Sequence, residues 1–187
     1  MTDTHARIAA FLQQKTAQAL HNAQADIALF HKAGLLPFVA NRFLVMKPVA
    51  KHAHLPPPAF QLCKGTRMAL IKGEWTDLRE GQTSETAETL AATALREGME
   101  ELALSLEGIN DIYDLGPYDF ASASSGAPRR LWLFAARLSS EQALQPESDM
   151  AETTAARRWL TTAEFAHEGR KDHRPILEAA ARQLKDL

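Results

Sequence analysis

The segment at residues 88–104 has the sequence ETLAATALREGMEELAL, whose apolar and charged residues recur with the period of an α-helix. Its three glutamates, at positions 97, 100 and 101, share one face, because residues three and four apart are neighbours on a helix. The opposite face carries apolar or small side chains: Ala91, Leu95, Gly98 and Leu102. The segment therefore predicts a helix that buries one side and presents acid on the other.

The acidic face has two interpretations. Three crowded carboxylates repel one another, at a cost of about 0.3 kcal/mol per pair in an isolated helix. A divalent cation with oxygen ligands relieves that repulsion. The plainer interpretation is that these glutamates form an ordinary solvated surface. The spacing of the surrounding charged residues helps to decide between a metal site and a solvated surface.

These charged residues resemble the signature of the Nudix hydrolase superfamily, G-x5-E-x7-R-E-U-x-E-E-x-G-U, in which U is a bulky aliphatic residue. Leu104 takes the place of the final aliphatic residue. Five charged residues match the signature at its own spacing: Glu88, Arg96, Glu97, Glu100 and Glu101. Together with a weaker match at residues 157–165, RRWLTTAEF, the resemblance covers residues 38–187.

The resemblance implies a role for each matched residue. Glu97, Glu100 and Glu101 are expected to bind a catalytic divalent ion, Mg²⁺ or Mn²⁺. One of them is also expected to act as the base or to orient the attacking water. Arg96 and Glu88 are expected to complete the catalytic set by bracing its loop and helix.

Three departures from the signature affect packing or the entry to the helix. Gly98 replaces an aliphatic residue, and because a mid-helix Gly costs about 1 kcal/mol relative to Ala, its place on the apolar face predicts the close approach of a strand or loop. Ala103 replaces the Gly near the helix end, so the turn there is expected to differ. The opening Gly is displaced, since Gly81 lies one residue too early.

Gly65 is the other candidate for the opening Gly. Residues 63–67, CKGTR, resemble the Pro-Lys-Gly stretch that often enters the signature, and residues 68–87 then form an insertion. We favour this alignment. It makes Gly65 the tight-turn residue and Lys64 a candidate phosphate contact, with an ordinary exposed lysine at a hairpin turn as the alternative for Lys64.

Residues 1–37 are expected to form a helical extension to a domain at residues 38–187. Apolar residues recur at helical spacing from Thr4 to Ala33, and Gly34 followed by Pro37 is typical of a helix end. The apolar stripe of this helix fits packing within the chain or a homodimer interface.

The remaining segments predict strands and helices without regular β-α-β alternation, which disfavours a doubly wound parallel sheet. The resemblance implies an α/β fold in which a mixed β-sheet is sandwiched between α-helices, with an extra N-terminal helix. Residues 64–65 are expected to form a turn, residues 73–85 a loop, and Thr162 a helix cap. Strands are predicted at residues 38–49, 60–63, 68–71, 112–115, 131–138 and 157–160, and a last helix at residues 175–184.

The composition is that of a globular protein, with 45% hydrophobic and 24% charged residues among 187. A net charge of -2 gives no strong signal for DNA binding. No apolar run approaches the roughly 20 residues of a membrane span, and the single cysteine, Cys63, suits a reducing compartment. We therefore expect a cytoplasmic protein with no membrane partner.

The activity that the resemblance implies is cleavage of a pyrophosphate bond in a nucleoside diphosphate linked to another moiety. ADP-ribose, dinucleoside polyphosphates, nucleoside triphosphates, coenzyme A and capped RNA all remain open as nucleotide-type substrates. Glu152 is the candidate for a further acid, since many relatives recruit one from this region. The alternative is a catalytically silent Nudix-like module that binds a nucleotide or regulates a partner, which the departures at Gly98 and Ala103 motivate.

Overall fold

The computed structural model describes residues 2–15, 30–50, 57–79, 84, 86–122, 125–142 and 144–185. The helices in these ranges are α1 (Thr2–Lys15), α2 (Leu90–Leu102), α3 (Thr162–Glu168) and α4 (Arg174–Leu184). None of these helices is long and apolar enough to cross a membrane. The strands are β1 (Lys32–Val39), β2 (Arg42–Pro48), β3 (Cys63–Thr66), β4 (Met68–Ile71), β5 (Glu74–Asp77), β6 (Ile109–Ala121), β7 (Pro128–Leu138) and β8 (Thr154–Leu160).

A six-stranded mixed sheet forms the centre of the fold. Its main path is β6-β7-β1-β2-β8, and β3 pairs with β1 beside this path. β1 and β7 are parallel, with Leu35 opposite Phe134, and the other pairs are antiparallel. β4 and β5 form a separate antiparallel hairpin. The parallel pair is thus central, where both faces of the sheet are covered.

Helices cover both faces of this sheet. On one face, α1 and α2 pack against the strands in a cluster that includes Ile8, Leu35, Leu95 and Phe134. On the other face, α3 and α4 pack in a cluster that includes Leu36, Leu133, Phe165 and Leu177. Leu35 and Leu36 are adjacent in β1 and enter different clusters, as the two-residue period of a strand requires. The predicted sandwich with an extra N-terminal helix is confirmed.

The N-terminal prediction is partly wrong, because Gly34 and Pro37 lie inside β1 and do not end a helix. A Cβ on Gly34 would lie 2.7 Å from the Cys63 carbonyl oxygen, so the glycine lets β3 approach. Pro37 falls between the residues of β1 that pair with β3 and those that pair with β2, and on the other side of the strand it lies opposite Ala136 of β7. The predicted boundary at residue 37 therefore falls within a strand, and residues 16–29 of the predicted helix lie outside the described residues.

Three local predictions downstream also need correction. Lys64 and Gly65 form no turn, since they pair with β1 as part of β3, and this partner strand had been assigned to a helix. The predicted loop at residues 73–85 contains β5, the second strand of the hairpin. The cap of α3 is Thr161 and not Thr162, because the Thr161 hydroxyl accepts from the Glu164 N–H and the Glu164 carboxylate accepts from the Thr161 N–H.

The end of α2 explains two of the unusual residues of the helix. Ala103 adopts a left-handed conformation at φ 49°, and the next residue, Leu104, donates its N–H to the Gly98 carbonyl at 3.2 Å. A glycine-type turn therefore forms in spite of the alanine. A Cβ on Gly98 would lie 2.6 Å from Leu35 Cδ2, which confirms the predicted close approach of a strand.

A buried histidine joins the sheet to α4. His173 is 0% exposed, and its Nδ1 accepts from the Leu62 backbone N–H at 3.1 Å. Burial lowers the pKa of His173 to about 3, and the nearby charges of Lys64 and Arg170 lower it further, while Asp172 opposes them. The folded protein therefore holds the neutral imidazole, with its proton on Nε2.

This burial predicts a pH-dependent stability. The unfolded chain protonates His173 below about pH 6.5, whereas the folded protein resists protonation down to its lower pKa, so folding stability falls as the pH falls through this window. Wild type should lose about 2 kcal/mol of its free energy of unfolding between pH 8 and pH 5 relative to His173→Gln, so the difference between the two proteins shrinks. Urea unfolding at both pH values measures it, with the exposed His167→Gln as control. A difference that stays constant with pH contradicts the prediction.

Candidate active site

Gly65 of β3 and Glu97 of α2 are in contact where the helix crosses the strand. A Cβ placed on Gly65 would lie 1.8 Å from the carboxyl carbon of Glu97, closer than two such atoms can approach. Only a glycine fits at this position with Glu97 where it stands. The contact favours the alignment that enters the signature at residues 63–67, with the β4–β5 hairpin as an insertion. Gly81, the other candidate, lies outside the described residues.

Arg96 connects the acidic residues of α2 to β3. Its Nε donates to Glu88 Oε1 at 2.8 Å, and its Nη1 lies 2.8 Å from Glu97 Oε1 and 2.9 Å from Glu100 Oε2. Its Nη2 donates to the Thr66 carbonyl at 2.8 Å. Burial alone would lower the pKa of Arg96, but the hydrogen bond with Glu88 and the carboxylate charges raise it. The guanidinium therefore remains charged and fixes α2 relative to β3.

Glu88 is the buried partner of this arginine. Its side chain is 1% exposed and accepts hydrogen bonds from the Met68 backbone N–H and the Thr93 hydroxyl, both at 3.0 Å. The Arg67 guanidinium donates to the Glu88 backbone carbonyl at 2.7 and 3.0 Å. A third side chain, His5 of α1, lies with Nε2 2.9 Å from Glu88 Oε1. Such a set of hydrogen-bond partners offsets the cost of burying a polar group.

Glu97 lies on the buried side of the acidic face. Burial raises the pKa of Glu97 to about 7, although the neighbouring Arg96 charge acts in the opposite direction. The charges of Glu101 and Glu100 raise the pKa of Glu97 further. Burial and like charges therefore both make a positive ligand favourable beside Glu97.

Glu101 has an unsatisfied oxygen. The Cys63 thiol and the Lys64 backbone N–H both donate to its carboxylate, and these bonds counter the rise in the pKa of Glu101 that burial causes. Burial, reinforced by the charges of Glu101 and Glu97, raises the pKa of the Cys63 thiol well above its usual range, so the thiol stays protonated as a donor. The Oε2 atom of Glu101 is buried and has no hydrogen-bond partner among the described residues. A buried oxygen without a partner indicates a site for a ligand or a water.

Lys64 places a positive charge beside these carboxylates. Burial lowers the pKa of its amine, the Arg170 charge lowers it further, and the Glu101 charge raises it. The Lys64 backbone N–H donates to the Glu101 carboxylate, so β3 brings this lysine next to an acid of α2. The amine is thereby a candidate contact for a phosphate.

The structure does not bring all of the predicted acids together. Among the described residues, no three His, Cys, Asp or Glu side chains converge in a group that could hold a metal ion. Glu100 is exposed and directs its carboxylate to Arg96. Glu152 is exposed in the turn before β8, although the adjacent Ala151 N–H donates to the Glu100 carbonyl at 2.7 Å. Glu97 and Glu101 are therefore the two acids best placed for a shared ligand.

Sequence reasoning missed the residues that reach the signature from elsewhere in the chain. His5 contacts Glu88 across 83 positions, and no spacing rule connects them. Cys63 and Arg67 flank the Lys64-Gly65 pair, and the family resemblance gave neither a role. Their buried position in or beside a strand facing α2 becomes visible only when β3 is paired with β1.

Comparison with protein-family models gives a match to the NUDIX domain over residues 63–180, which is more than half of the chain. This chain belongs to the NUDIX family. It carries a Nudix hydrolase domain, and members of the family generally use a divalent metal ion. A search of the curated proteins finds no match.

Solved structures of other Nudix proteins share the fold of this chain. A NUDIX hydrolase from Nitrosomonas europaea has a TM-score of 0.52 at 14% identity, covering 83% of this chain and 93% of that chain. An Ap4A hydrolase from C. elegans, solved as a binary complex, has a TM-score of 0.53 at 18% identity, covering 83% and 98%. The NUDIX domain of NrtR from Shewanella oneidensis, complexed with ADP ribose, has a TM-score of 0.53 at 16% identity, covering 94% and 97%. At these identities the similarity shows the fold alone.

The contact between Gly65 and Glu97 predicts a severe effect of one added methyl group in this Nudix domain. Gly65→Ala forces the Glu97 carboxylate away from its position, and a displacement of about 1 Å can reduce catalysis about 100-fold. Initial rates of diphosphate hydrolysis measure the effect. Gly73→Asn is the control, because Gly73 lies in the hairpin turn at φ 86° with open space around it, and asparagine adopts the left-handed region at a smaller cost than other side chains. Wild-type rates for Gly65→Ala contradict the prediction.

Proposed function

We propose that this protein is a divalent-metal-dependent hydrolase that cleaves a pyrophosphate bond in a nucleoside diphosphate linked to another moiety. The observation that carries the proposal is the buried, unpartnered Oε2 of Glu101, which lies in the same acidic group as Glu97. Family membership supports the same chemistry, because the glutamates occupy the signature positions that bind metal in the superfamily.

The residues present fit a hard divalent ion. Mg²⁺ is commonly held by one or two carboxylates, with waters and substrate phosphates completing its shell. Glu97 and Glu101 supply two carboxylates, and Glu100 is one helical turn away from Glu97. We propose that these three glutamates hold Mg²⁺ or Mn²⁺, with Glu100 exchanging its contact with Arg96 for the ion. A bound ion supplies charge neutralisation for the diphosphate and lowers the pKa of a water.

The other residues of the site act through position and charge. Gly65 leaves the space that Glu97 occupies beside the strand, and the Lys64 amine is placed to contact a phosphate oxygen. Arg96 and Glu88 hold the helix so that its acidic face stays over β3. Glu152, in the turn next to Glu100, is the candidate for a further acid. The protein thus contributes mainly orientation and a fixed electrostatic environment.

Two of the similar structures indicate which substrates to examine first. One of these proteins is an Ap4A hydrolase, and another is complexed with ADP ribose. Both compounds are nucleotides with linked phosphates. We therefore propose ADP-ribose and dinucleoside polyphosphates as the leading substrate classes, with nucleoside triphosphates as the third.

Product analysis on these three compound classes, with Mg²⁺ or Mn²⁺, tests the proposed function. Wild type should cleave at least one class, and Glu101→Gln should lower its rate about 100-fold or more, since the metal contribution is several kcal/mol and each 1.36 kcal/mol is tenfold. Glu178→Gln is the matched control, because it makes the same change on the exposed side of α4. It should keep the wild-type rate.

Two outcomes contradict the proposal in different ways. Equal rates for wild type and Glu101→Gln remove the assigned role of Glu101. No turnover with either ion, together with saturable nucleotide binding, identifies the catalytically silent module instead. The incomplete convergence of the three glutamates is the observation that keeps this second function in the test.

A further inference from the structure

The buried carboxylate of Glu88 is the point where α1 meets the Nudix signature. Besides Arg96, it binds groups from three places: His5 in α1, the Met68 backbone N–H at the start of the hairpin, and Thr93 in α2. The NUDIX family match begins at residue 63, so α1 lies outside it. A residue outside the family domain therefore contacts a residue of its catalytic signature.

Two further contacts fix the position of His5. Its imidazole stacks on Trp75 of β5, with ring centroids 3.9 Å apart and an interplanar angle of 3°. Ile8, almost one turn further along α1, is 1% exposed and packs in the same core cluster as Leu90 of α2. The hydrophobic contact docks α1, and the stack orients the ring, so the bond to Glu88 is part of a packed structure.

Arg96 carries the effect of this bond to the acidic face. The same guanidinium that donates to Glu88 also contacts Glu97 and Glu100. If Glu88 turns away, Arg96 loses its principal buried partner and can move towards the acidic face. His5 is therefore three contacts away from the proposed metal ligands, with Glu88 and Arg96 between them.

We propose that His5 is a positioning residue of the active site, which acts through Glu88 and Arg96 to set the acidic residues of α2. The proposal rests on the proposed function, because it assigns the purpose of the contact to the metal-binding glutamates. In this proposal α1 contributes to the geometry of the active site. The β4–β5 insertion contributes as well, because its Trp75 stacks on the imidazole of His5. A merely structural α1 would affect stability but leave the folded site unchanged.

Paired substitutions separate the hydrogen bond from the stack. His5→Phe keeps an aromatic ring on Trp75 and removes the bond to Glu88, whereas His5→Gln keeps an N–H donor and removes the ring. Arg7→Ala is the matched control, because Arg7 lies two residues away in α1 and pairs with an exposed Glu107 at 3.3 Å. Thermal unfolding curves give the temperature below which every variant is folded, and the measurements are made in that range.

The first readout is the affinity for Mn²⁺ alone, measured by electron paramagnetic resonance of the full-length protein. Loss of a residue that orients a metal ligand directly costs about 10- to 100-fold in affinity, and His5 acts two contacts further out, through Glu88 and Arg96. We expect His5→Phe to weaken Mn²⁺ binding by about 3- to 10-fold, with His5→Gln near wild type and Arg7→Ala unchanged. The second readout is kcat, which should fall for His5→Phe with little change in KM.

The possible results distinguish this inference from the proposed function. Wild-type Mn²⁺ affinity and kcat in folded His5→Phe overturn the positioning role while leaving the hydrolase intact. A defect in His5→Gln as large as that in His5→Phe also overturns it, since the donor is then irrelevant. If His5→Phe does not fold, His5→Leu replaces it, because it also removes the donor to Glu88, and a folded His5→Leu with the Mn²⁺ affinity of His5→Gln counts against the role. Wild type that neither binds Mn²⁺ nor cleaves any compound removes both proposals.

Discussion

The buried ion pair between Glu88 and Arg96 joins α1, the end of β3, the start of the hairpin and α2. Glu88 receives donors from α1, from the start of the hairpin and from α2, while Arg96 reaches the last carbonyl of β3. The two side chains are 1% and 6% exposed. Removing either partner leaves a buried charge, which typically costs about 3–5 kcal/mol. The height of α2 above β3, and with it the fit of Gly65 under Glu97, depends on this pair.

The same pair leaves the site short of positive charge. One guanidinium serves Glu88, Glu97 and Glu100, and Glu101 lies beside them with Lys64 as a nearby cation. A sequence selected for stability alone has no reason to keep four acids around one arginine in a partly buried place. The deficit of positive charge is compensated if a divalent ion binds there, because an ion that binds only the folded protein stabilises it by mass action. The carboxylates that repel one another in the folded protein are thus the same groups that we propose bind the ion.

The sequence predicted the parts of the fold and site that depend on local spacing. The helix period placed Glu97 and Glu101 on one face, and the family resemblance implied that Glu88 and Arg96 brace the loop and helix. Contacts across long separations carried no such signal, as with His5 and Cys63. The wrong assignment of Gly34 and Pro37 had a wider effect, since without β1 the residues at 64–65 had no strand to pair with. Glycine and proline follow helices often, and only the two-sided pairing of β1 shows why they also fit here.

With Gly65 as the opening glycine of the signature, as we propose, the segment between Gly65 and Glu88 is an insertion that keeps the ends of the signature close together. The Met68 N–H donates to the Glu88 carboxylate at 3.0 Å, and the Glu88 N–H donates to the Met68 carbonyl at 2.8 Å. The added segment therefore leaves and returns at a single point, and its length costs little because loop-closure entropy grows slowly with chain length. Its hairpin forms its own backbone pairs and leaves those of the central sheet intact. A signature that is interrupted in the sequence is in this way continuous in the structure, with Gly65 against Glu97 and Arg96 bound to Glu88.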